Sequence, residues 1–472
     1  MRKYCVSMRC KILLLFMLLL SAFADAQVVN LSPYSRFGIG DIYQAGNVGT
    51  IGLGGVRSTF NDRFQVNAEN PATLGYLNNT IFQTALRLQN IRLSKGDSQQ
   101  DLSGGNMDQF ILGLKRSGSK MGFVFGVTPF STSGYDIQTN EEIEDIGSAT
   151  YSYEGSGGIN RMFLGAGRRF EATDYYRFND KNGDAYDSIK VVKHTLSIGA
   201  NLDYYFGSVA QTRRLDLSDV TFLDTRRRTV TRLFDFSADL GVHYQTTLRS
   251  KYGSDKRLRS QWLLQLAAVY SPQADLNTRY EETAESTTTS SEVVFPVDTT
   301  YAVNAEGSTR LPARLRYGAA VHFFNSNGRH FALMADIAQQ DWSSYQIDLG
   351  DEIINPNLVE SSEFSLGFQY TPKSVEEGSN VFNRTQYRFG ARQTNTYLEL
   401  EGTQIVDEAF TAGFSTPLLS SRSTSKLHFG MEFGRRGVDE GKLIQEDYLN
   451  IFIGVTLSPF YKNVWFKERK YE

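Results

Sequence analysis

HTLSIGANLDYYFG, from His194 to Gly207, decides the fold. Leu196, Ile198, Ala200, Leu202, Tyr204 and Phe206 alternate there with Ser197, Gly199, Asn201, Asp203, Tyr205 and Gly207. A period of two residues puts the first set on one face of an extended strand and the polar or small set on the other. Soluble sandwiches alternate too, but their strands are usually about five or six residues long. A run of this length matches the roughly 9–11 residues with which a tilted strand crosses a bilayer.

Working outward, Phe234, Phe236, Ala238, Leu240, Val242 and Tyr244 repeat the pattern against Asp235, Ser237, Asp239, Gly241 and His243. So do Trp262 to Tyr270, Leu315 to Phe323, Phe364 to Tyr370, Leu427 to Phe433 and the last strand, Leu449 to Leu457. Arg116 to Lys120 is short enough to demand antiparallel neighbours. Glu171 to Tyr186 is less regular, with a turn at Asp180 to Asp184, and the charged runs Glu141 to Asp145 and Glu281 to Asn304 read as long loops. Counting from Thr80 gives about 14 strands, an even number that leaves both termini on the periplasmic side. Backbone groups in hydrocarbon must all be paired, so such a sheet has to close. The expected fold is all-β: a transmembrane antiparallel β-barrel with an N-terminal lumenal hatch or plug. Its inward face is exempt from lipid and carries Asp203, Asp235, Asp239, His243, Arg314, Arg316 and Glu432.

Composition agrees. Mean hydropathy is negative while Tyr and Phe number 25 and 32, which suits a wall in which only alternate residues meet lipid. After the N-terminus no apolar run reaches the eighteen or so residues of a membrane helix. The N-terminus itself reads as a secretory signal: Arg2, Lys3, Arg9 and Lys11, then the apolar Ile12 to Leu20, then Ala24-Asp25-Ala26 before Gln27. Both cysteines, Cys5 and Cys10, fall inside it, so the mature chain has no disulfide, thiolate metal site or cysteine nucleophile. Removing the signal makes an already acidic chain more so, and no nucleic-acid partner is expected. The expected division is signal peptide 1–26, N-terminal extension and hatch 27–79, barrel 80–459 and periplasmic tail 460–472, in the cell outer membrane.

Ile51 to Leu77, IGLGGVRSTFNDRFQVNAENPATLGYL, fits neither period. It is too glycine-rich for a stable helix and too poor in apolar runs for a strand. Gly52, Gly54 and Gly55 allow tight turns and close backbone approach, and Pro71 fixes φ where the chain turns. A surface loop ahead of the first strand would have the same composition. A fourteen-stranded barrel, however, is too wide for its own side chains to fill, and this stretch is about the right amount of chain to close it, with Asn70, Pro71 and Ala72 near the periplasmic mouth.

Catalytic chemistry is thin. The five histidines have no metal-ligand spacing, no stretch signals a nucleophile beside a base, and neither an enzyme nor a cofactor or metal is expected. Arg226-Arg227-Arg228 invites a lipopolysaccharide-phosphate reading beside that of a solvated turn. Tyr205, Arg314 and Arg316 are the candidate lumenal ligand contacts, sharing the inward wall with Leu263 and Val269.

The chain resembles the FadL-like outer-membrane transport proteins in the form common in Bacteroidota. The resemblance rests on Asn70-Pro71-Ala72-Thr73-Leu74, on Tyr270-Ser271-Pro272, on Leu311-Pro312-Ala313-Arg314-Leu315-Arg316-Tyr317-Gly318 and on Trp465 to Tyr471, and it covers essentially the whole mature chain. It implies a fourteen-stranded barrel with an N-terminal hatch whose Asn-Pro-Ala falls on Asn70, Pro71 and Ala72. It also implies carriage of hydrophobic or amphipathic, fatty-acid-like molecules. Expected partners are outer-membrane lipid and lipopolysaccharide and an apolar small molecule. The charged runs and the residues after Tyr461 keep a second reading open: a non-transporting barrel serving as a structural subunit of an outer-membrane protein insertion or export complex.

Overall fold

The computed structural model describes residues 32–43, 49–116, 118–144, 147–179, 185–219, 221–290, 293–373, 380–418, 425–441 and 443–458. The expected signal peptide (1–26), the turn expected at Asp180 to Asp184 and the expected periplasmic tail (460–472) lie outside them. Nineteen strands follow in order: β1 (Asp41–Ile42), β2 (Ile81–Lys95), β3 (Ser98–Lys115), β4 (Met121–Ile143), β5 (Gly147–Asn179), β6 (Ala185–Leu217), β7 (Asp224–Tyr252), β8 (Leu258–Ser271), β9 (Ala274–Ser290), β10 (Val293–Leu311), β11 (Arg314–Asn325), β12 (His330–Asp341), β13 (Gln346–Asp348), β14 (Ile353–Ile354), β15 (Glu360–Thr371), β16 (Gln386–Leu400), β17 (Thr403–Pro417), β18 (Lys426–Arg436) and β19 (Gln445–Leu457). β2 to β8, β11, β12 and β15 to β19 form a ring of fourteen antiparallel strands, closed where β19 pairs with β2, Ile453 opposite Leu86. No described helix is long and apolar enough to cross a membrane.

The outward set on β6 and β7, with Leu202 and Phe236 both more than half exposed, forms the lipid-facing band. Trp262, Phe323, Phe331 and Tyr370 lie in contact along one end of it, ring centroids 4.7, 6.3 and 4.8 Å apart in succession. Such a girdle suits the interface, where an amphipathic ring meets headgroups. On β19 the alternation has the expected phase: Ile453 is 45% exposed, while Asn450, Phe452, Gly454 and Thr456 are buried. Replacing Ile453 by Arg near the midplane is expected to cost roughly 2–4 kcal/mol in refolding titrations into vesicles. An unchanged midpoint would invert the faces of this strand.

Two charged stretches expected as loops are strands. β4 continues through Glu141 and Glu142 to Ile143, paired with β5 throughout, and Glu281 to Asn304 belongs to the β9–β10 hairpin. The irregular Glu171 to Tyr186 region is likewise paired, β5 with β6 as far as Asn179 and Ala185. The reason is common to all three. Beyond the lipid neither face of a sheet needs to be apolar, so these segments keep strand hydrogen bonding without alternation. β5 and β6 have 33 residues each, so at about 3.3 Å per residue they far outrun the bilayer on both sides. On the side away from the start of β2 and the end of β19, β9 pairs with the first half of β7 and β10 carries the sheet on to β13 and β14, making a crown above the ring.

Candidate functional site: the filled lumen

Residues 50–60 and 65–77 are buried, apart from a half-buried Gly55, and they lie against inward-facing positions of the ring. Two 3-10 turns shape them, Ile51–Leu53 and Pro71–Tyr76. Asn70 caps the second: its side-chain oxygen accepts the Ala72 N–H at 3.0 Å, and its amide donates to the Ser58 carbonyl at 2.7 Å. Pro71 at the first position of that turn forfeits only an N–H that would be unpaired there anyway.

Close approach works because glycine faces the segment from the wall. Pro71 lies where a Cβ at Gly167 or Gly199 would be, Asn70 where one at Gly241 would be, and Leu74 where one at Gly122 would be. Gly52 faces Gly413, and Leu53 faces Gly367 and Gly390. Gly54 has φ +65, which L side chains rarely adopt, and a Cβ on it would strike the backbone of Ala391. Gly55 shares the left-handed region at φ +87. Leu74 and Gly75 reach the end of the ring marked by the 116–120 turn, where β2 begins, through Gly122 and Arg169.

Charge holds what glycine admits. Arg161 on β5 meets Glu69 at 2.7 Å, Asp239 at 3.2 Å and Asp203 at 3.8 Å, all four side chains no more than 8% exposed. Asp336 on β12 accepts the backbone N–H groups of Arg57 and Ser58 at 2.7 and 2.6 Å and the Ser58 hydroxyl at 2.6 Å. Lys426 reaches Asp62 at 2.9 Å. Ser197 and Asn201 donate to the carbonyls of Ala72 and Ala68 at 2.5 and 2.9 Å.

Residues 32–43 fill the other half. Arg436 grips Asp41 through both terminal nitrogens at 2.8 Å, and the Tyr397 hydroxyl donates to the Gly40 carbonyl at 2.6 Å. β3 pairs with β4 only from Phe110 to Lys115, which leaves a seam in the ring above that point. β1 lies along it, Asp41 opposite Thr132 and Ile42 opposite Ser131, with the Tyr43 N–H donating to Phe130 at 2.8 Å.

The candidate contacts are therefore occupied. Arg314 lies 3.9 Å from Glu69 and 3.4 Å from the Ser271 hydroxyl, and Arg316 binds Glu363 at 2.9 Å. Tyr205 is 5% exposed and packs edge-on against Phe130. Sequence reasoning passed over Arg161, Asp336 and Glu363, whose only signal was a charge in the inward phase of an apolar strand. His322 and His330 come together, Nδ1 to Nε2 2.9 Å, but no described group of three His, Cys, Asp or Glu could hold a metal. Arg226 and Arg227 are paired with Glu285 at 2.5 Å and Glu282 at 2.6 Å in the crown, well above the lipid band.

A cavity of about 730 Å³ opens inside the crown. Ile39, Ile159, Val209, Leu233 and Ile347 line it together with Arg36, Arg213 and Arg227.

A closed fourteen-stranded barrel with a lipid band and an aromatic girdle defines an outer-membrane protein, and its fold is FadL-like. It matches the TodX deltaS2S3 mutant monoaromatic hydrocarbon channel with TM-score 0.53 and 16% identity, over 88% of this chain and 99% of that one. It also matches the Pseudomonas putida toluene transporter TodX (TM-score 0.51, 14% identity, 87% and 98%) and the Ralstonia pickettii toluene transporter TbuX (0.50, 14%, 89% and 99%). At these identities the likeness is one of fold. The chain belongs to the BamG family, whose sequence model matches residues 8–173 and 186–472. No curated protein sequence matches it.

Proposed function

We propose that this barrel works in the outer membrane as a closed structural subunit of a protein complex, of the kind that inserts or exports outer-membrane proteins, and presents its sheet beyond the bilayer to its partners. The observation that carries this is the chemistry of the lumen. A path for hydrophobic molecules would be lined by apolar side chains with a few polar anchors. Here ion pairs join the N-terminal segment to the wall, Arg161 to Glu69, Arg436 to Asp41 and Lys426 to Asp62, and the wall beside it carries the buried pairs Arg316–Glu363 and Arg392–Asp407. Opening it would separate the three segment-to-wall pairs at once, and for the buried Glu69 the loss of its counter-charge would cost about 3–5 kcal/mol. The extended strands β5, β6, β9 and β10 meanwhile add sheet that a bare channel does not need.

The crown cavity favours a second reading, transport of a hydrophobic or amphipathic small molecule with the N-terminal segment as its gate. Its volume falls within the range of small-molecule sites, and its lining mixes apolar side chains with a few charged ones. The solved neighbours named above are a monoaromatic hydrocarbon channel and two toluene transporters. Extraction in mild detergent followed by native mass spectrometry separates the two. Stable stoichiometric co-purification with envelope proteins is expected. A monomer carrying one apolar ligand per chain would overturn the subunit reading in favour of transport.

A further inference from the structure

A second cavity, about 160 Å³, lies in the middle of the lumen between the N-terminal segment and the wall. Six arginines and five carboxylates line it. Each carboxylate already has a close partner. Arg436 holds Asp41, Arg316 holds Glu363 at 2.9 Å, and Arg392 and the Tyr448 hydroxyl hold Asp407 at 3.1 and 2.6 Å. Asn450 donates to Glu432 at 3.0 Å and Ser32 to Glu446 at 2.6 Å.

Two guanidinium groups remain poorly answered. Arg57, on the N-terminal segment and 4% exposed, comes no nearer to an acid than 4.0 Å from Glu363, and its Nε has no partner among the described residues. Arg87, on β2 with its side chain 14% exposed, has its guanidinium carbon 3.8 Å from the Tyr43 ring centroid; its Nε, also without a hydrogen bond, is 3.8 Å from Asp108, which the Tyr43 hydroxyl already engages. Burying a charge without a hydrogen-bonded partner is costly. Water would accept single hydrogen bonds but would add nothing to the distant counter-charges of Glu363 and Asp108. An anion in the cavity that both residues line would offer each a charge-assisted bond, the strong kind.

We propose that this cavity is a binding site for a small free inorganic anion, between halide and phosphate in size, held by Arg57 and Arg87. It is too small for a lipid headgroup with its chains. Because one ligand residue belongs to the N-terminal segment and the other to the ring, the anion clips the segment to the wall. The site rests on the lumen geometry alone and is independent of whether the barrel transports or docks.

The test uses crystals of the full mature chain grown in bromide, and a second set grown in selenate, with anomalous data at each edge. A peak in the cavity within about 3.5 Å of both guanidinium groups is expected with at least one of the two. Bromide alone would identify a halide site, selenate alone an oxyanion site, and both results support the proposal. Ordered water with no anomalous peak in either set would overturn it. In Arg57→Gln crystals the peak should fall to background; a peak at full height there would also overturn the assignment, since Arg57 would not be a ligand. Should that variant fail to fold, the wild-type pair of data sets still decides.

Discussion

Replacing Arg161 by methionine should destabilise the reconstituted barrel by roughly 3–5 kcal/mol, the cost of removing one partner from a buried ion cluster. Arg161 stands among Glu69, Asp203 and Asp239, each no more than 8% exposed at the side chain. Methionine keeps much of the volume and takes away the cation, so three carboxylates are left facing one another. Arg314 approaches only one of the three, Glu69 at 3.9 Å, and is also hydrogen-bonded to Ser271. Glu69→Gln is the informative companion. It leaves Arg161 its two wall partners and can still accept a hydrogen bond, so its cost should be clearly smaller and confined to the hold on the N-terminal segment. Denaturant titration in lipid vesicles gives both numbers. If Arg161→Met unfolds within about 1 kcal/mol of wild type, the cluster does not hold the lumen together.

How much of this was legible depends on what lipid demands of a residue. The alternation from Leu196 to Phe206 and from Leu449 to Leu457 was readable because hydrocarbon on one side forces every second residue to be apolar. The ring count followed, since strands of that kind cannot stop short of closure. Glu281 to Asn304 was misread as a loop because both faces of the crown meet water; the remaining signal was the Thr, Tyr and Val content of β9 and β10, which is weak. In the lumen the glycines were visible as a small-residue phase, at Gly199 and Gly241 for example, but not what they were small for. Glu69 and Arg161 are 92 positions apart in sequence, and only the closed ring brings them together. An inward charge is tolerated anywhere in a barrel, so Asp336 looked no different from Asp235, although one binds the segment through three hydrogen bonds and the other stays in the wall.

Gly390→Val is expected to convert a silent barrel into one with steady single-channel openings in planar bilayers. A Cβ at Gly390 would sit against the Gly54 nitrogen and the Leu53 carbonyl carbon, well inside van der Waals contact. Both are backbone atoms, so no rotamer change relieves the clash. The wall cannot yield easily, because β16 is paired on both sides at this point, with Gly367 and Thr411. Valine is otherwise well suited to a strand, so the ring should assemble and keep its resistance to heat and detergent. What gives way is the segment, which loses the Leu53 and Gly54 contacts and the 2.7 Å bond from the Gly54 N–H to the Thr411 hydroxyl. The control is one residue away: Phe389, 56% exposed, points at lipid, and Phe389→Val should leave the barrel silent. A Gly390→Val barrel that assembles normally and stays as silent as wild type would show that residues 51–55 do not close the lumen.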